Sequence, residues 1–145
     1  MSSSDLSSSK TRISAHFLDA APAEDEFVTV EGWLTYYDEK KKSWIPLGKA
    51  HVSIYVDGKE IGKAETNEFG MFSFTFPAPY KGKHRLEVRF KGKAEYESSS
   101  KSLDFQVIEK EQKLKLGRLA RDVFLLIIAL VFLLFVVIFT TKMLR

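Results

Sequence analysis

The chain of 145 residues contains no cysteine. That excludes disulfides, thiolate catalysis and any cysteine-ligated zinc or iron–sulfur centre. The three histidines, His16, His51 and His84, stand far apart, and no HExxH pair occurs, so no metal site is expected. No D-x-[DN]-x-[DN]-G loop is present for calcium, and no glycine-rich phosphate loop opens a helix. The Ser98–Ser99–Ser100 run lacks the G-x-S-x-G context that activates a serine, and the acidic run Glu24, Asp25, Glu26 reads as solvated surface. These absences leave no constellation for catalysis and no expected cofactor. A nucleic-acid partner is also not expected. The formal net charge is only +3, and Lys and Glu alternate on strand faces instead of forming a basic stripe with stacking aromatics.

One segment lacks charge, glycine and proline altogether. Val123 to Phe139 is an unbroken apolar run, extended by Thr140 and Thr141. A helix over these residues would be about 28 Å long at 1.5 Å per residue, close to the roughly 30 Å hydrocarbon core of a bilayer. A soluble helix needs only one apolar stripe, so the expectation is a single C-terminal transmembrane helix over 123–141 with a short tail at 142–145. Ahead of it, residues 109–122 are good helix formers carrying Lys110, Lys113, Lys115, Arg118 and Arg121, against Lys142 and Arg145 behind it. Lys113, Lys115, Arg118 and Arg121 are candidate contacts to lipid headgroups. Basic residues favour the cytoplasmic side, so the domain before the helix is expected in the cytoplasm. The start, MSSSDLSSSKTR, has no apolar stretch after its basic residues and is not read as a secretory signal; Ser2 stands where N-myristoylation needs glycine.

Residues 1–25 are rich in Ser, Ala and acids, with Ile13, Phe17 and Leu18 among their few bulky apolar residues, and are expected to be a mostly flexible arm, with a short docked segment around 13–18 as the alternative. From Phe27 onward the pattern has period two. Val28, Val30, Leu34 and Tyr36 share one side; so do Ala50, Val52, Ile54 and Val56; then Phe72, Phe74 and Phe76; Leu86, Val88 and Phe90; and Leu103, Phe105 and Val107. Lys59 to Thr66 is expected to return as a hairpin strand after Asp57–Gly58, with Ile61 inward. Turn signals separate the strands at 40–42, 67–70, 77–82 and 91–94, and no helical period intervenes. The expectation is an all-β antiparallel sandwich of about seven strands over residues 26–108.

Within this region the stretches VEGWL, IPLGKAHVSIYVDGKEIGKAETNEFGMFSFTF and YKGKHRLEVRFKGKAEYESSSKSLDFQVIE resemble the immunoglobulin-like and transthyretin-like (carboxypeptidase regulatory-like) β-sandwich modules of prokaryotic envelope and membrane proteins. The matching positions are Pro46, Leu47, Val52, Thr66, Gly70, Phe72, Gly82, His84, Leu86, Val88, Phe90 and Gly92. The resemblance implies a structural or adhesive module that holds or presents something else. In the residues themselves, Gly70 suits a turn and Thr66 could cap it with its hydroxyl.

The remaining candidates for function are aromatic. Trp33, Tyr37, Trp44, Tyr55 and Tyr80 could form a partner-binding patch, since Trp and Tyr bury much area for little lost entropy. Alternatively, Trp33 and Trp44 could cover the open end of the core, or Trp44 could pack within its loop. The expected role is therefore a non-catalytic, membrane-anchored interaction or accessory subunit whose partners are the bilayer and a protein. An exported envelope protein that binds polysaccharide or surface proteins is the alternative, and an enzyme's separate regulatory module a third.

Overall fold

A computed structural model describes residues 8–144. They fall into two units, one ending at Ile108 and one beginning at Glu109. The first is an antiparallel sandwich of eight strands in two sheets. Sheet 1 contains β1 (Thr11–Phe17), β2 (Phe27–Asp38), β3 (Ser43–Pro46) and β6 (Met71–Pro77). The long β2 is its spine, with β1 along one edge and β6 followed by β3 along the other. Sheet 2 has the order β5 (Lys59–Glu65), β4 (His51–Val56), β7 (Gly82–Phe90), β8 (Ser99–Val107).

The period-two residues fill the space between the sheets. Val28, Val30 and Leu34 from β2, Val52 and Ile54 from β4, and Leu86 and Val88 from β7 are fully buried, with Phe72, Phe76, Phe90 and Phe105 completing the core. Each such side chain contributes about 1.5–3 kcal/mol by leaving water. Asp57 and Gly58, both at positive φ, make the tight turn between β4 and β5, the geometry a two-residue hairpin needs.

Three expectations need correction. The first 25 residues are not an arm over their described part. Ile13 is buried and β1 pairs with β2 from Thr11 to Phe17. Beyond β1, Ala20 and Pro22 accept backbone hydrogen bonds from Gln106 and Ile108 at the end of β8. The alternation Ile13–Ala15–Phe17 was too short and too polar to stand out, yet β2 offers it a complete edge. Residues 1–7 lie outside the described part. Second, Ile61 points outward and is exposed. A bulge opposite Ile54/Tyr55 shifts the register and brings Gly62 inward, where a Cβ would lie 2.4 Å from the Phe74 ring. One extra residue flips the facing of everything beside it. Third, Thr66 does not cap the 67–70 turn. Its buried hydroxyl donates to the Leu47 carbonyl and accepts from the Ala50 N–H, tying the approach to β4; the turn is held by Asn67, whose side-chain oxygen accepts from Phe69 and Met71 N–H.

The second unit is one helix, α1 (Lys110–Met143), of 34 residues, about 51 Å long at 1.5 Å per residue. It is long and apolar enough to cross a membrane. The hydroxyls of Thr140 and Thr141 donate to carbonyls one turn back, at Val137 and Ile138, so these polar groups are satisfied inside the helix, as a hydrocarbon surrounding requires.

Candidate interaction surface

The cross-strand register decides which side chains look outward from sheet 1. Tyr37 lies opposite Trp44, Thr35 opposite Arg12, Trp33 opposite both Ser14 and Met71, and Glu31 opposite His16. The sequence candidates Trp33, Tyr37 and Trp44 therefore share one face. Trp44 is not packed inside a loop: β3 places it in edge-to-face contact with Tyr37, ring centres 5.4 Å apart. The Arg12 guanidinium lies 4.3 Å from the Trp44 ring centre, a cation–π contact. The His16 ring stacks on Trp33 at 5.8 Å, and His16 also approaches Glu31 at 3.7 Å.

The face is broader than the sequence suggested. Met71 and both tryptophans are about 40% exposed, and Leu18 and Phe27 more than 60%. Leu18 continues β1 beside Thr29, so these two residues extend the apolar strip toward the far end of β2. Met71 was legible as the outward neighbour of Phe72 in the alternating run. Arg12, His16 and Leu18 carry no such signal, because by sequence their segment reads as a flexible arm.

The two other aromatic candidates lie elsewhere. Tyr55 is on the outer face of sheet 2, half-buried under the Arg89 guanidinium at 4.2 Å. That face carries the ion pairs Arg85–Asp104 at 3.1 Å and Arg89–Glu87 at 2.5 Å, and the His51 ring lies 3.4 Å from the Glu65 carboxylate. The hydrogen bond from Arg89 holds the Glu87 carboxyl below its ordinary pKa. Tyr80 sits in the β6–β7 connection, its ring edge-on to His84 at 4.6 Å.

His84 is fully buried in its side chain, stacked on Phe105. One ring nitrogen meets Asp57 Oδ2 at 2.5 Å and the other the Tyr80 carbonyl at 2.6 Å. A carbonyl and a carboxylate only accept, so both ring nitrogens donate and the imidazolium form is favoured. Burial pushes the His84 pKa down, but the bonds to Asp57 and Tyr80 and the Asp57 charge together raise it. Asp57 is held low by the His84 bond and by the Arg85 N–H that donates to its other oxygen. The cluster joins the β4–β5 turn to the start of β7 and the loop before it. With all its polar atoms partnered, it is a structural staple.

Lys113, Lys115, Arg118 and Arg121 lie in the first third of α1, with Arg121 3.9 Å from Asp122. Among the described residues no group of three or more His, Asp and Glu side chains is arranged to hold a metal.

No family model matches the chain. Among solved structures, the CARDB domain of a Pyrococcus furiosus protein aligns with a TM-score of 0.53 at 12% identity, over 70% of this chain and 97% of that domain. The likeness establishes an immunoglobulin-like sandwich fold. An endo-beta-1,4-mannanase from Thermotoga petrophila aligns at a TM-score of 0.43 and 16% identity, over 68% of this chain and 20% of the enzyme, too distant to carry an argument. By sequence, an "Uncharacterized protein" of Archaeoglobus fulgidus is 85% identical over 145 residues, the full length of both chains. On that full-length identity, the chain belongs to the same family as the Archaeoglobus fulgidus protein.

Proposed function

We propose that this protein is a non-catalytic interaction or accessory subunit of a membrane assembly, held at the bilayer by α1 and engaging a protein partner through the outer face of sheet 1. The observation that carries the reading is that Trp33, Tyr37, Trp44 and Met71 stand together on one strand-built face with Arg12. Trp, Tyr, Met and Arg are the residue types enriched where proteins bind one another, and Trp, Tyr and Arg dominate the binding energy there. Strands present them with little conformational freedom left to lose.

The membrane part of the proposal rests on two features of α1. Residues 123–141 match the hydrocarbon thickness, and the remaining turns carry Lys113, Lys115, Arg118 and Arg121, each worth about 1 kcal/mol against anionic headgroups. The excess of basic residues before the apolar run favours a sandwich on the cytoplasmic side with α1 as a tail anchor. The Pro46–Leu47, Thr66–Gly70–Phe72 and Gly82–Gly92 matches support the transthyretin-like subtype of the sandwich.

Affinity capture of the full chain from detergent-solubilised membranes tests the partner. A discrete protein retained by the wild-type chain and lost with Trp33→Ala/Trp44→Ala supports the reading; recovery of the chain alone overturns it. Protease treatment of sealed vesicles tests the side: the sandwich is expected to be cut in inverted vesicles and spared in intact cells.

A further inference from the structure

The outer face of sheet 2 changes character at one end. Along most of it each charge meets its opposite, as in Arg85–Asp104 and Arg89–Glu87. Where β4 begins and the chain leaves β7, a small cavity of about 170 Å3 is lined by His51, Ser53, Lys63, Lys91, Gly92 and Lys93. No carboxylate is among its lining residues. Among the described residues Lys63, Lys91 and Lys93 enter no ion pair; Glu65 stands by His51 instead. Three ammonium groups around one concavity repel one another, a cost that a merely solvated face avoids by mixing its signs.

The floor of the cavity is Ser53. Its chain neighbours Val52 and Ile54 face the core, so Ser53 faces outward, yet it is only 5% exposed. It lies between Lys63 and Arg89 of the adjacent strands. Its hydroxyl makes no hydrogen bond among the described residues, and the access it keeps is to the cavity. A polar group so deeply placed and left without a partner calls for an explanation. The wall beside it is fixed. Gly92, at φ +88°, turns the chain at the end of β7, where a Cβ would lie 3.0 Å from the Tyr96 carbonyl oxygen. The backbones of Lys93 and Tyr96 exchange hydrogen bonds, which holds Lys91 and Lys93 on the same concavity.

We infer that this cavity binds the terminal phosphate group of a soluble ligand, with Lys63, Lys91 and Lys93 on its oxygens and the Ser53 hydroxyl donating from below. The donor set selects the group. A terminal phosphate brings three acceptor oxygens and close to two negative charges, which matches three ammonium groups and a hydroxyl; a carboxylate has two oxygens and one charge. The cavity offers a nucleobase no ring to stack on, since Phe90, its one aromatic residue, is 3% exposed. Position selects the source. Gly82 at the start of β7 pairs with Val107, next to Ile108, the last residue of the sandwich unit. The cavity lies at the other end of β7, nine residues and roughly 30 Å away, so the ligand is assigned to solution and not to a lipid headgroup. This role goes beyond the partner-binding face of sheet 1 and stands or falls apart from it.

The test titrates the full chain, in uncharged detergent micelles, with tripolyphosphate and follows backbone amide shifts by NMR. Saturable shifts are expected at Ser53, Gly92 and Lys93. Lys91→Gln/Lys93→Gln alters two exposed side chains and should weaken binding about tenfold or more. Lys59→Gln/Lys83→Gln, an equal loss of charge at the other end of the sheet, should change it by less than about twofold. Ser53→Ala should weaken binding several-fold and leave thermal unfolding unchanged, because its hydroxyl holds no described residue. A diffuse attraction of charge would respond equally to both lysine pairs and not at all to Ser53→Ala. Either of those results overturns the inference, as does the lack of saturable shifts at Ser53 and Gly92. Phosphatidate mixed into the micelles is expected to leave these two amides unmoved. If it moves them as tripolyphosphate does, the assignment to a soluble ligand is overturned and the site belongs to a lipid headgroup.

Discussion

The two outer faces of the sandwich are made by the same alternation and come out opposite in chemistry. Sheet 1 shows the solvent Trp33, Trp44, Met71, Phe27 and Leu18. Sheet 2 shows Arg85, Glu87, Arg89, Asp104 and His51, most of them matched to a neighbour of opposite charge. Both faces leave their inner sides equally apolar, so the fold itself does not require the difference. A face needed only for solubility looks like sheet 2, since scattered paired charges suffice. Large exposed apolar side chains gathered on one face mark a surface that meets something. The comparison teaches where the proposed partner surface differs from ordinary solvated sheet: in the outward positions of sheet 1.

The largest expected effect breaks that comparison directly. Trp33→Ala/Trp44→Ala should weaken partner capture by 30-fold or more, on the order of 2 kcal/mol for a dominant contact, whereas Arg85→Ala/Asp104→Ala on the opposite face should leave it unchanged; quantitative capture from solubilised membranes measures both. Next, the two sides of β1 should separate in stability. Ile13→Ala opens a hole in the core and is expected to cost about 2–4 kcal/mol, while Leu18→Ala, exposed on the outer face, should change stability by less than about 0.5 kcal/mol. Chemical denaturation of the full chain in detergent reads the difference. If Ile13→Ala were silent, β1 would be no part of the sandwich.

Much of this was legible in the sequence, and for a physical reason. Runs such as Val28–Val30–Leu34 and Phe72–Phe74–Phe76 are long enough for their facing to be unambiguous, and Asp57–Gly58 names its own turn. The apolar stretch 123–139 needs only its length. What could not be read were features set by tertiary partners. β1 is a weak strand by composition and exists because β2 has an edge to fill. β3 is four residues long and takes its place from pairing with β2, which is what puts Trp44 beside Tyr37. The bulge that turns Ile61 outward is dictated by the Phe74 ring occupying the space over Gly62, a contact between strands of different sheets. Residue type alone does not say which face a side chain takes, so Trp33, Tyr37 and Trp44 share a surface while Tyr55 and Tyr80 lie on others. Tyr55 serves as a seat for Arg89.

A third expected effect concerns the staple at one end of sheet 2, between the β4–β5 turn and the start of β7. His84 has its pKa raised in the folded chain above the ordinary 6.5, so its contribution is fully present below that value and is lost as pH rises through the folded pKa. Asp57 is lowered from 3.8, so its contribution is present above that value and lost as pH falls through its lower folded pKa. The sandwich should therefore be most stabilised by this pair between about pH 4 and 6.5. Asp57→Asn removes the charge partner and is expected to cost about 1–3 kcal/mol there and to flatten the alkaline slope of stability against pH. Thermal unfolding across that range checks it. A slope unchanged in Asp57→Asn would mean that Asp57 is not what raises the His84 pKa. The smallest effect belongs to the charged face: reversing Arg85 and Asp104 should shift stability by less than about 0.5 kcal/mol and fade further in salt.

The most direct test of the account is photo-crosslinking from the two faces in membranes of the native host. A photoreactive residue at position 35, outward on sheet 1 between Trp33 and Tyr37, is compared with one at position 102, outward on sheet 2. The account expects a discrete adduct with one other protein from position 35 and none from position 102. Equal adducts from both, or adducts from position 102 alone, would contradict it.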